Sequence, residues 1–137
     1  MIATLPEPLS RAIEAEIANV PAPVLRTAAA ALSGAYRGKT ALDKALSQAD
    51  RAAYLAVRFP STFAVAKAVW RELDRASPAA GVRSVLDVGA GPGTAALASQ
   101  DILNSGTCYT YLERDRGWFD PAQRLAFAEE AAGGERV

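Results

Sequence analysis

The sequence places an acidic residue and three alternating glycines between a short apolar run and an alanine-rich segment. This pattern consists of Asp87, Gly89, Gly91 and Gly93. The apolar run ending at Val88 predicts a β-strand, and residues 95–103 predict a helix. Glycines let the backbone approach a ligand closely, and a helix start offers unpaired N–H groups. We therefore expect this turn to hold the polar part of a nucleotide-like ligand.

The spacing of the glycines narrows the choice of ligand. A dinucleotide fingerprint, G-x-G-x-x-G/A, would require glycine or alanine at position 94, where the chain has Thr94. A phosphate-binding P-loop would require a lysine directly after its last glycine, and no lysine follows Gly93. Neither of these two phosphate-binding motifs is therefore present.

The pattern that remains resembles the first motif of the S-adenosylmethionine-dependent methyltransferases with a Rossmann-like sheet. The resemblance implies that the turn lies close to the methionine part of the cofactor and that Asp87 helps to hold its ammonium group. The cofactor-binding residues implied by this motif are Asp87, Gly89, Ala90, Gly91, Pro92, Gly93 and Thr94. The alternative is a tight strand-to-helix turn without a ligand.

A second carboxylate follows at the end of the next predicted strand. Residues 104–106 provide a helix stop, residues 107–112 are rich in β-formers, and Glu113 comes next. An ionised carboxylate is an acceptor with two oxygens, which suits the two vicinal hydroxyls of a ribose. We predict this role for Glu113, with Asp115 as the fallback. The plainer alternative is a charged residue at a strand end.

Composition limits the other possible functions. The chain has 137 residues, half of them hydrophobic, which permits one domain with a sizeable core. Fifteen basic and fifteen acidic residues cancel, so no overall field attracts nucleic acid. With one cysteine and no histidine, we expect no metal site, and no catalytic residue can be assigned. Since neither a membrane span nor a signal peptide is visible, we expect a soluble, cytoplasmic protein.

Apolar residues at helical spacing predict that residues 1–80 form a helical N-terminal region. The first helix carries the stripe Leu9, Ile13, Ile17 and Val20, and the second runs from Val24 to about Tyr36. Ser47 and Asp50 form a capping box for the third helix. We expect Ser61 to cap a fourth helix, which reaches about Ala76. Its buried stripe is predicted to be Ala66, Val69, Trp70 and Leu73.

Three stretches in succession carry a narrower resemblance. Residues 51–63 are followed by residues 84–94 and then by residues 112–115. This succession resembles bacterial relatives of the mitochondrial small-ribosomal-subunit assembly protein, an Rsm-type, methyltransferase-like family. The segment Tyr54-x-x-x-Arg58-x-Pro60 narrows the resemblance to that family. It implies small-subunit ribosomal RNA or ribosomal proteins as partners.

Tyr54 and Arg58 lie four residues apart, so they share a helix face. That face either closes over the cofactor turn or touches RNA, or the tyrosine packs in the core with the arginine covering it. These alternatives stay open, and neither residue is assigned to the site.

The end of the sequence predicts one more helix and the start of a strand. The helix begins around Asp120 and stops at residues 133–134, and residues 135–137 would lead into a third strand. A Rossmann-like methyltransferase needs further strands, and the family's later cysteine cluster for an iron–sulfur centre is absent. We therefore expect residues 81–137 to be a partial Rossmann-like cofactor-binding domain in an α/β chain that is a fragment.

Two further expectations concern the strands. Val85, Leu86 and Val88 would form an open sheet edge, so the isolated chain is expected to be marginally stable, to self-associate through that edge, or to need its missing half. Cys108 on the second strand is expected to be a buried, small apolar residue.

Three functions are compatible with these observations. The first is a methyltransferase that uses S-adenosylmethionine to modify ribosomal RNA or a ribosomal protein. The second is a ribosome assembly factor that keeps the cofactor pocket without catalysis. The third is a small-molecule methyltransferase with a helical cap, although the Tyr54–Pro60 stretch argues against it.

Overall fold

The computed structural model describes residues 4–38, 45–77 and 81–133. In these ranges the chain forms a mixed α/β structure with two strands. The elements are α1 (Glu7–Ala18), α2 (Ala22–Gly38), α3 (Gln48–Val57), α4 (Phe59–Ala76), β1 (Ser84–Val88), α5 (Thr94–Leu97), β2 (Cys108–Leu112), a 3-10 helix (Arg116–Trp118) and α6 (Phe119–Gly133). The predicted mixed α/β class is confirmed, whereas the third strand expected after residue 134 lies outside the described residues.

The helical part of the chain follows the predicted patterns closely. Leu9 and Ile13 of α1 are buried, as their helical spacing predicted. The capping box at α3 is present, because the Ser47 side chain accepts from the Asp50 backbone N–H and the Asp50 carboxylate accepts from the Ser47 backbone N–H. This reciprocal cap satisfies two backbone donors at the start of α3.

Helix α4 differs from the prediction in its start and in its buried face. It begins at Phe59, and Pro60 lies in its first turn, where the missing N–H costs nothing. Ser61 is therefore no cap, and its hydroxyl donates to the Arg58 carbonyl at 2.9 Å. Val69 and Leu73, which were predicted to be buried, are 54% and 53% exposed.

The face of α4 that packs against the core carries aromatic side chains, together with Ala66; Ala66 and Trp70 of the predicted stripe do lie there. Phe59 and Phe63 are buried, and the Trp70 indole N–H donates to the Ala95 carbonyl at 3.0 Å. Lys67 forms an ion pair with Asp101 at 2.7 Å. The large rings thus set the rotation of the helix, and Val69 and Leu73 turn toward solvent.

The two strands pair in parallel, with Ser84 opposite Cys108 and Val88 opposite Leu112. Burial alternates along both strands, so one face of the sheet points toward solvent. Leu86, Val88 and Leu112 on that face are 63%, 69% and 60% exposed. Cys108 is exposed on the same face, so the prediction of a buried cysteine was wrong. Cys108 is exposed because every second residue of β2 faces outward and Cys108 is one of them.

The helix predicted for residues 95–103 is much shorter. Only Thr94–Leu97 is α-helical, and tighter turns follow. The backbone N–H groups of Ser99 and Ile102 donate to the carbonyls three residues before them, at 3.0 and 2.9 Å. The buried Ser99 hydroxyl also donates to the Ala96 carbonyl at 2.7 Å. Serine hydroxyls compete with the helical ladder in this way, so alanine content alone overestimated the helix.

One hydrophobic cluster joins the helical part to the residues around the sheet. Its buried members are Leu9, Ile13, Leu55, Phe59, Phe63, Leu97, Ala98, Trp118 and Leu125. An ion pair between Arg124 of α6 and Glu16 of α1 adds to this contact. The division into regions 1–80 and 81–137 stays a prediction. Among the described helices, none has the length and apolar character needed to cross a membrane.

Candidate functional site

The turn after β1 depends on its glycines for backbone conformation and for space. Gly89, Gly91 and Gly93 all have positive φ angles, of 72°, 52° and 81°. This region of backbone space is unfavourable for residues with a Cβ atom. At Gly93 there is no space either, because a Cβ would lie 2.6 Å from the Tyr111 ring. The tyrosine of β2 therefore packs directly under the turn.

Glu113, which follows β2, points at the glycine turn and binds its backbone. Its Oε2 accepts from the Gly91 N–H at 2.8 Å, and its Oε1 accepts from the Asp115 N–H at 2.8 Å. The carboxylate thus links the ends of the two parallel strands. Glu113 therefore lies beside the turn, and its predicted role toward a ribose stays a prediction.

Asp87 lies on the other side of the turn and is partly buried. The Ala96 backbone N–H of α5 donates to its carboxylate, while Oδ2 has no hydrogen-bond partner among the described residues. Burial raises the pKa of Asp87 above its ordinary value, the Ala96 hydrogen bond opposes this, and the negative charge of Glu113 adds to the rise. Thr94 is buried and its hydroxyl likewise lacks a partner in the described chain.

A half-open cavity of about 650 Å³ lies over the glycine turn, which is within the usual range for small-molecule sites. Of the predicted site residues, the cavity is lined by Gly89, Ala90, Gly91, Pro92 and Glu113. Asp87, Gly93 and Thr94 do not line it. These three shape the turn from beneath, as their burial and contacts show.

The helical region supplies the opposite wall of this cavity. Leu32 of α2, Asp50 and Tyr54 of α3, and Trp118 of the 3-10 helix line it. The Tyr54 and Trp118 rings meet edge to face, with centroids 5.7 Å apart. Tyr54 therefore both packs in the core and faces the turn, whereas Arg58 does not line the cavity. Sequence patterns singled out Tyr54 without assigning it and missed Trp118.

Asp115 was the fallback for the ribose-binding carboxylate, but its carboxylate binds other parts of the protein. Its Oδ1 accepts from the Gly117 N–H at 2.9 Å and caps the 3-10 helix, and its Oδ2 pairs with Arg51 at 3.4 Å. Both oxygens are therefore engaged in holding the turn after β2. Of the two carboxylates, Glu113 is the better placed to bind a ligand at the glycine turn.

A second cavity of about 620 Å³ lies on the α6 side of Glu113. Tyr109, Tyr111, Trp118 and Phe119 line it, and it shares Gly91 and Glu113 with the first cavity. Gly91 and Glu113 therefore line both cavities.

At Gly91 itself, the Glu113 carboxylate favours hydroxyl or cationic groups over a phosphate. The Gly91 N–H, which a phosphate would use, already donates to a carboxylate, and that carboxylate would repel an anion. Within residues 4–38, 45–77 and 81–133, acidic and cysteine side chains nowhere form a group of three that could hold a metal ion.

A comparison with models of protein families found a match. A family model described as mitochondrial small ribosomal subunit Rsm22 matches residues 48–132, more than half of the chain. The matched stretch begins at α3 and includes the glycine turn and Glu113. A search of curated proteins and a search of solved structures found no match.

Proposed function

Because the chain belongs to the mitochondrial small ribosomal subunit Rsm22 family, we propose that it is a methyltransferase-like protein that binds S-adenosylmethionine and acts with the small ribosomal subunit. The partner would be small-subunit ribosomal RNA or a ribosomal protein. The cytoplasmic location expected from composition stays a prediction, since the description of the family names the mitochondrion.

The observation that carries the cofactor proposal is the hydrogen bond from Gly91 N–H to Glu113 at 2.8 Å. Dinucleotide and P-loop sites leave the backbone N–H groups of their glycine turn for phosphate. In this protein a carboxylate takes such a group, so the turn suits a nucleoside that brings hydroxyls and a positive charge. S-adenosylmethionine has a ribose and a sulfonium in place of a phosphate chain.

The residues present fit this cofactor. A Cβ at Gly89 would meet nothing within 4 Å, so the backbone of the turn is open to a ligand on that side. Each Glu113 oxygen accepts one backbone N–H and keeps a second lone pair for a ribose hydroxyl. Tyr54 and Trp118 supply apolar surface opposite the turn. Asp87 shapes the turn through Ala96, and its contact with the cofactor's ammonium group stays a prediction.

When bound, the cofactor would supply an electrophilic methyl group on its sulfonium. The protein's part in such a transfer is to hold the two reactants in contact and aligned, which by itself lowers the barrier substantially. Glu113 would fix the ribose, and the aromatic wall would exclude water from one side. The residues that meet the methyl acceptor are not assigned.

A second candidate function, a ribosome assembly factor that binds the cofactor without catalysis, has one observation in its favour. Glu113 and Asp115 each use both carboxylate oxygens in hydrogen bonds or an ion pair. Both acidic groups therefore already hold the backbone around the glycine turn, and neither is assigned a catalytic role. Family membership makes the third possibility, a small-molecule methyltransferase, the least supported.

Two measurements test these proposals. Calorimetric titration with S-adenosylmethionine should show binding, and titration with NAD should show none. Failure of the first titration would contradict the cofactor proposal.

Incubation of the protein with labelled cofactor and small ribosomal subunits then separates the candidate functions. Label transferred to RNA or protein favours the enzyme, and cosedimentation without transfer favours the assembly factor. Loss of both transfer and cosedimentation would contradict the ribosomal proposal.

A further inference from the structure

Arg51 joins the helical region to the turn after β2. Its Nη1 donates to the Leu46 carbonyl at 2.6 Å, just before α3, and to Asp115 Oδ2 at 3.4 Å. The two side chains of the ion pair are only 19% and 23% exposed. Water therefore screens this pair less than the surface ion pairs of α1 and α4.

Gly117 makes room for the Arg51 guanidinium. A Cβ at Gly117 would overlap three atoms of that guanidinium group. The φ of Gly117 is not in the left-handed region, so any residue could adopt its backbone. An alanine at this position would therefore require the Arg51 guanidinium to shift away from the turn.

Hydrogen bonds continue from this contact to the glycine turn. The Asp115 carboxylate that pairs with Arg51 also accepts from the Gly117 N–H at 2.9 Å. The Asp115 backbone N–H donates to Glu113 Oε1, and Glu113 Oε2 accepts from Gly91 N–H, both at 2.8 Å. Arg51, Asp115, Glu113 and Gly91 thus form one continuous chain of contacts.

We propose that Arg51 is a positioning residue of the cavity, because it fastens α3 to the turn after β2 and, through Asp115, holds Glu113 against Gly91. This inference deepens the proposed function and depends on it only for the identity of the ligand. Nη1 of the guanidinium carries two N–H groups and donates to both Leu46 and Asp115. Loss of Arg51 would also loosen the wall that α3 forms with Asp50 and Tyr54.

Affinity for S-adenosylmethionine tests the positioning role. We expect Arg51→Met and Gly117→Ala each to raise the dissociation constant about tenfold, the loss that one charge-assisted hydrogen bond predicts. The double variant should bind no more weakly than either single variant, because both changes displace the same guanidinium. Arg51→Lys should restore part of the affinity. Gly81→Ala is the control, since a Cβ at Gly81 meets nothing within 4 Å.

Unchanged affinity in Arg51→Met, or losses that add in the double variant, would overturn the inference. Thermal unfolding of each variant accompanies the titrations. A loss of affinity that follows the loss of stability, with no recovery in Arg51→Lys, would show a merely structural role and would also overturn it.

Fluorescence of the ligand-free protein tests the same contact without the cofactor. In a Trp70→Phe background Trp118 is the reporter, because the chain has two tryptophans. Trp118 is 4% exposed and packs against Tyr54 of α3. Arg51→Met should make Trp118 more accessible to acrylamide, and Gly81→Ala should not. If the wild type does not bind S-adenosylmethionine, the proposed function fails, and this measurement alone decides the inference: unchanged quenching would overturn it.

Discussion

The carboxylate of Glu113 accepts a hydrogen bond from the backbone N–H of Gly91 at 2.8 Å, across 22 residues of sequence. This contact links the end of β2 to the turn that follows β1. Since the two strands are parallel, their carboxyl ends lie at the same edge of the sheet. The candidate site therefore forms where the two paired strands end.

Replacing Glu113 by glutamine should weaken binding of S-adenosylmethionine by about 10- to 100-fold. The amide keeps one acceptor and loses the charge, and hydrogen bonds to charged groups contribute about 1.5–3 kcal/mol. Calorimetric titration of Glu113→Gln measures the change, with Glu14→Gln on the exposed face of α1 as the matched control. Equal affinities of the two variants for S-adenosylmethionine would show that Glu113 does not contribute to binding.

Gly93→Ala should lower the free energy of unfolding by about 1–3 kcal/mol, because alanine is strained at a φ of 81° and its Cβ would meet the Tyr111 ring at 2.6 Å. Gly34→Ala is the control in α2, where a Cβ meets nothing within 4 Å. Alanine there should stabilise the helix by roughly 0.5–1 kcal/mol. Denaturant unfolding compares the two variants, and a stable Gly93→Ala protein would contradict the described packing.

Asp87→Asn should change how stability depends on pH. Burial raises the folded-state pKa of Asp87 above its unfolded value of 3.8, so the folded protein takes up this proton first as pH falls. The wild type should therefore gain stability relative to Asp87→Asn between neutral pH and the unfolded pKa, and lose this gain as pH rises through the folded pKa. Unfolding midpoints of both proteins across that range measure the difference. Parallel curves would contradict the assigned cause.

The exposed sheet face should govern self-association. Leu86 and Leu112 lie on this face and are 63% and 60% exposed. Association through the face would bury their apolar surface, which is favourable. We expect the wild type to show a concentration-dependent mass by sedimentation velocity and Leu86→Lys/Leu112→Lys to reduce it. The control is Leu73→Lys, at an equally exposed apolar site on α4. A monomeric wild type at all concentrations would show that this face does not pair.

The local patterns of the sequence were sufficient to predict the glycine turn, the two strands and the capping box. Each depends on residue type and short spacing, which a single sequence displays. The burial of Val69 and Leu73 in α4 and of Cys108 in β2 was predicted wrongly, because it depends on which neighbouring element each face packs against. Trp118 and Arg51 were missed for the same reason, since their contacts join residues far apart in sequence.

The central claim is that the glycine turn and Glu113 bind a sulfonium nucleoside. Nuclear magnetic resonance of the 15N-labelled protein tests it directly, because each glycine of the turn has its own amide signal. Addition of S-adenosylmethionine should shift the amides of Gly89, Gly91 and Asp115 by the largest amounts, and addition of NAD should leave them in place. Shifts confined to residues away from the turn, or equal shifts with NAD, would contradict the claim.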